Sequence, residues 1–159
     1  MKRIANICQR RSEQAGKLLI PYLVAGDPDL DSSLALMHEL VRQGADIIEL
    51  GVPFSDPASD GPVIQRGAER ALASGTTLAG VLDLVARFRQ ADQDTGLVLM
   101  GYLNPVEIYG YQAFARRCAE VGVDGVLVVD MPPAEAQALS EALRASAVDL
   151  IFLVAPTTS

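Results

Sequence analysis

Two hydrophobic periods alternate along this chain. Short apolar runs of strand length recur at residues 18–24, 47–50, 97–100, 125–129 and 149–154. Most are apolar at successive positions, the pattern of parallel strands covered on both faces. Between them the apolar residues fall at helical spacing. Ile4, Ile7 and Cys8 with Arg11 predict a helix over 3–14. Leu34, Leu36, Met37, Leu40 and Val41 predict a second to about residue 43, capped by Asp31 or Ser32 and closed by Gly44.

Further signals divide the rest of the chain. Pro62 opens a short helix to about residue 73, and Ser74-Gly75 ends it. Thr76 or Thr77 caps another, with Leu78, Val81, Leu82, Leu84, Val85 and Phe88 as its buried stripe. Residues 101–105 read as an exit loop, 106–120 as largely helical with a break near Gly110, and Pro132-Pro133 as the start of a helix to about 145. Pro21 cannot donate to a ladder, so the first strand should pair unusually there.

Strand and helix in regular alternation mean parallel βα units. No Gly-x-Gly-x-x-Gly and no P-loop occurs, so a dinucleotide or nucleoside-triphosphate fold has no support. In a (β/α)8 barrel, function gathers where strands run out into loops at one face. Asp27, Glu49, Asp60, Tyr102, Asn104 and Asp130 all lie at or just after strand ends.

The stretch from Asp46 to Gln65 carries most of the chemistry. Glu49 stands between Ile48 and Leu50. Apolar neighbours should bury its carboxylate in part, and desolvation favours the neutral acid, which suits a general acid or base. Pro53, Pro57 and Pro62 stiffen the loop that bears Asp56 and Asp60. On residue type alone two readings stay open for each carboxylate. Glu49 is a catalytic group or a rim residue in an ion pair; Asp60 is a functional group or a helix-start residue.

Charge and composition narrow the partners. Thirteen basic against twenty acidic residues leave a net charge of −7, and no basic stripe appears, which argues against nucleic acid. No apolar run approaches a membrane span, and the first sixteen residues lack the apolar core of a signal peptide. Cys8 and Cys118 have no metal-like spacing and read as reduced thiols in the cytoplasm. With His38 the only histidine, a His-based triad or zinc site has little basis.

Glu-Leu-Gly-Val-Pro-Phe-Ser-Asp-Pro at 49–57 and Asp-Gly-Pro-Val-Ile-Gln at 60–65 resemble the signature of the tryptophan synthase alpha subunits. The likeness extends to Ile20-Pro21-Tyr22, Ala25-Gly26-Asp27-Pro28, Gly101-Tyr102-Leu103-Asn104-Pro105 and Val121-Gly122-Val123-Asp124-Gly125. Ser59 stands where the family usually has Ala, and Val24 where Thr is common.

The resemblance implies a (β/α)8 TIM barrel. Residues 1–159 would form a single domain supplying its first five strands. It implies a lyase that cleaves indole-3-glycerol phosphate to indole and glyceraldehyde 3-phosphate, with no metal or cofactor. Glu49 matches the family's acid/base and Asp60 the carboxylate that accepts from the indole N–H. Tyr22, Met100, Tyr102, Leu127 and Val129 would contact the substrate. Pro53, Asp56, Asn104, Pro105 and Tyr109 would face the beta subunit. In the family the substrate phosphate is held by loops after later strands, and a complete barrel takes about 250 residues. Residues 1–159 alone are therefore expected to be inactive, with open strand edges prone to association. The competing reading is an inactive half-barrel that serves as an assembly or binding module. Another sugar-phosphate barrel enzyme is disfavoured, because Lys2 and Lys17 are the only lysines and neither ends a strand at the active face.

Overall fold

The computed structural model describes residues 3–156. Five parallel strands form one sheet in chain order: β1 (Tyr22–Val24), β2 (Ile47–Gly51), β3 (Gly96–Gly101), β4 (Gly125–Val128) and β5 (Asp149–Ile151). Between and before them run α1 (Arg3–Glu13), α2 (Leu30–Arg42), α3 (Pro62–Ala73), α4 (Leu78–Arg89), α5 (Leu103–Tyr109), α6 (Tyr111–Val121) and α7 (Gln137–Ala145), with a 3-10 turn at Pro133–Glu135. Strands that follow chain order without reversal belong to a singly wound arc, the geometry of a barrel wall rather than of a doubly wound sheet.

The two faces of the arc differ. Outward-facing Leu23, Ile48, Leu50, Leu97, Leu99, Val126 and Val128 pack under the helices with Met37, Val81, Phe88, Phe114 and Leu139. Inward-facing Ile47, Val98 and Leu127 cluster with Ile7 of α1, and Met100, Val129, Ile151, Ile4 and Leu18 pack against them. Thus α1 sits across the inner face at the amino ends of the strands. Among the described residues no single helix is long and apolar enough to cross a membrane.

Two carboxylates, Asp124 buried and Asp46 half-buried, fasten that end. Asp46 accepts from the Leu19 N–H at 2.9 Å and from Arg11 of α1 at 2.8 Å. Asp124, just before β4, accepts from the Leu97 N–H at 2.9 Å, from Arg89 at 2.9 Å and from Arg3 of α1. Arg89 is also buried and donates to the carbonyls of Gly122 and Thr95 at 3.0 and 2.8 Å. Each aspartate therefore joins a backbone N–H at the amino end of one strand to the next strand and to α1.

Several boundaries differ from the sequence reading. Regular pairing in the first strand starts only at Tyr22, because Pro21 has no N–H; the Leu19 and Pro21 carbonyls still accept from Asp46 and Glu49. Asp29, not Asp31 or Ser32, caps α2 by accepting from the Ser32 N–H. The 101–105 segment is not all loop, since α5 starts at Leu103 and ends at Gly110, whose φ of 86° needs no Cβ. β5 stops at Ile151, and the expected 152–154 portion runs on as exposed coil.

Removing one partner from a buried charge network leaves the others desolvated, at a cost of about 3–5 kcal/mol. Asp124→Ala should therefore lower unfolding stability by about that amount. The check is the midpoint of urea unfolding, with Asp46→Ala affected less because Arg11 is more exposed than Arg89.

Candidate active site

The register of β2 places the first functional side chain. Tyr22 pairs with Glu49 and Glu49 with Val98, so the three share one row of the inner face. The next row holds Val24, Gly51, Met100 and Leu127. Alternation along β2 puts Glu49 on the same face as Ile47, and it is half-buried there. Among the described residues no side chain or backbone group pairs with its carboxylate, so the rim ion-pair reading has no partner.

Tyr22 lies across the carboxyl end of β2. A methyl group on Gly51 would stand 2.2 Å from the Tyr22 hydroxyl, so only glycine leaves room for the ring. Gly51 is the last residue of β2 and makes the seat for Tyr22. Burial pushes the Tyr22 phenol up to about 12, and the nearby Asp60, Tyr102 and Glu49 push the same way. Tyr22 thus stands beside Glu49, its register partner, and within electrostatic reach of Asp60 and Tyr102.

Asp60 is held from β3. Tyr102 follows that strand, is 6% exposed, and donates from its hydroxyl to Asp60 Oδ2 at 3.1 Å. The Tyr102 hydroxyl oxygen accepts from the Ser59 N–H at 2.9 Å, and the ring packs on Phe54 with centroids 5.2 Å apart. Burial raises the Tyr102 phenol, with the bond and charge of Asp60 adding to it and the Ser59 N–H opposing. Gln65 of α3 donates to the Asp60 carbonyl at 2.9 Å. The cap of α3 is Gly61, which has no side chain, so the Asp60 carboxylate turns to Tyr102 instead of the helix.

The remaining strand-end residues have other partners. Asp27 takes a two-pronged contact from Arg70 of α3 at 2.7 Å on each oxygen, and that bond holds its carboxyl below the usual range. Asp130 accepts from the Leu103 N–H at 2.8 Å and so fixes the start of α5. Met100 and Val129 are half-buried and Leu127 buried, all on the inner face. At the rim Asp56 and Asn104 are exposed, and Pro105 and Tyr109 are half-buried. Pro53 is buried directly after Gly51 and Val52. Ile108, which the pattern did not single out, is 80% exposed beside Tyr109. Cys8 and Cys118 are free thiols, exposed and buried respectively.

The family model for the tryptophan synthase alpha chain matches residues 8–159. The tryptophan synthase alpha chain of Dechloromonas aromatica (strain RCB) is 57% identical over 159 residues, which are 100% of this chain and 59% of the relative. That of Laribacter hongkongensis (strain HLHK9) is 61% identical over 142 residues, covering 89% of this chain and 54% of the relative. The crystal structure of tryptophan synthase subunit alpha from Legionella pneumophila str. Paris superposes with a TM-score of 0.97 at 47% identity, covering 100% of this chain and 61% of that one. A tryptophan synthase complex from Pyrococcus furiosus matches with a TM-score of 0.84 at 42% identity over 89% of this chain and 58% of its own. The chain thus spans a little over half the length of the relatives it matches, and its five strands are part of their TIM barrel.

The Tyr22 hydroxyl gives this cluster a spectroscopic handle. Its folded value of about 12 against an ordinary 10.0 means the fold favours the neutral phenol. Its share of stability is full below pH 10 and is lost as pH rises toward about 12. In an alkaline titration followed by phenolate absorbance, the last ionisation should disappear in Tyr22→Phe. Identical titration curves for the two proteins would contradict this environment.

Proposed function

The chain belongs to the tryptophan synthase alpha chain family, and on that premise we propose that its complete polypeptide cleaves indole-3-glycerol phosphate to indole and glyceraldehyde 3-phosphate. The observation that carries the reading is the meeting of Glu49 and Asp60 around Tyr22 at the carboxyl end of β2. Glu49 gives a proton to the indole ring carbon that bears the side chain. It then takes the proton of the adjacent side-chain hydroxyl. The carbon–carbon bond breaks as that oxygen becomes the aldehyde carbonyl, and the bond's electrons return to the ring. Glu49 ends in its starting state. Asp60 accepts from the indole N–H and steadies positive charge as it develops on the ring.

Tyr22, Met100, Leu127 and Val129 form the walls of the indole pocket in this reading. Asp56, Asn104, Pro105 and Tyr109 form part of the surface toward a beta subunit. A Pyrococcus furiosus structure described as an α2β2 complex lends support to that partner. Free cysteines and the biosynthetic reaction suit the cytoplasm. Residues 1–159 act in this reading as one part of a single barrel domain. A second reading, an inactive half-barrel used as a binding module, is favoured by exposed Leu19 and Ile20 at one sheet edge and Leu153 and Val154 beyond the other. The mass of the natural polypeptide separates the two.

Glu49→Gln in the complete polypeptide should lower indole production by at least about 10²-fold while leaving the fold intact. Asp60→Asn should lower it strongly but less, because the amide oxygen still accepts from an N–H without the charge. Indole release from indole-3-glycerol phosphate is the measurement. Retention of more than about a tenth of the activity by Glu49→Gln would remove it from the acid/base role.

A further inference from the structure

Tyr102 differs from the other residues around the site in what its hydroxyl can do. A phenol has one proton to donate, and its oxygen can accept. A backbone N–H can only donate, so the 2.9 Å contact from Ser59 obliges the Tyr102 oxygen to accept there. Its single proton is left for Asp60 Oδ2, 3.1 Å away. The direction of the chain of bonds is therefore determined: Ser59 to Tyr102 to Asp60. Stacking on Phe54 and burial of the ring hold the phenol in place at the end of β3.

The consequence falls on Asp60. One carboxylate oxygen is engaged by the phenol, and no protein donor among the described residues engages Oδ1. We propose that Tyr102 is a positioning residue, which orients the Asp60 carboxylate so that Oδ1 faces an N–H donor of the substrate, and that it does not itself bind the substrate. This rests on the function proposed above and deepens it. The same bonds tie the loop that bears Asp60 to the strand end that carries Tyr102. The carboxylate thus meets the developing charge already oriented, and the tie should count more in the transition state than in the ground state.

Tyr102→Phe keeps the ring and its stacking and removes only the hydroxyl. In the complete polypeptide with indole-3-glycerol phosphate, it should lower kcat by roughly tenfold to a hundredfold, the worth of a hydrogen bond to a charged group, and leave KM nearly unchanged. In an Asp60→Asn background the same change should cost little more, because its effect passes through that carboxylate. A raised KM at unchanged kcat would make Tyr102 a substrate-contacting wall and overturn the proposal. So would losses that multiply in the double variant. Two readouts do not depend on turnover. The Ser59 amide should exchange faster in Tyr102→Phe, and the Asp60 carboxyl carbon resonance should move. If wild type releases no indole, the functional reading fails by itself, and these two signals still decide whether Tyr102 holds Asp60; no change in either would overturn the tie.

Discussion

Side chains on a strand alternate between faces, and β2 has neighbours on both sides. That pairing governs the molecule. With Ile48 and Leu50 drawn under the helices, Ile47, Glu49 and Gly51 must face inward. A slip of one residue would bury the Glu49 carboxylate among Phe88 and Met37 and turn two apolar residues into the site. Parallel pairing then sets Tyr22 beside Glu49 on one side and Val98 on the other. Everything at the site takes its position from this register, including the space above Gly51 that admits the Tyr22 ring.

The two ends of the arc do different work. At the amino ends of the strands, Asp46 and Asp124 are bound by backbone N–H groups and guanidiniums, with the Asp124 side chain 1% exposed. Both oxygens of each carboxylate are thus engaged within the chain. They hold strand to strand and α1 to both, while Ile4 and Ile7 fill the space between. At the carboxyl ends, Glu49 has no protein partner among the described residues and Asp60 keeps one oxygen unengaged. A barrel separates stability from chemistry in this manner, since loops at one end can carry reactive groups while the other end stays closed.

Much of this was legible in the residues. The apolar periods gave five strands and their helices because burial on one or two faces leaves a repeat that needs no partner to be read. Pro62, Ser74 and Thr77 marked helix ends through local backbone chemistry alone. The run from Glu49 to Gln65 pointed to both carboxylates by likeness to a family, and by placement after a strand.

Other features needed the folded chain. Asp27, Asp60 and Asp130 look alike in sequence, each an acid after a strand. Arg70, 43 residues from Asp27, and Tyr102, 42 from Asp60, decide their different parts. Pro53 reads as a surface loop residue until packing buries it. The sequence by itself determined the elements, which follow from local periodicity, and pointed to the candidate carboxylates through their place after a strand and their likeness to a family. Tertiary structure decided which carboxylates are bound up in structural pairs and which stay available, because that depends on donors brought near from distant parts of the chain.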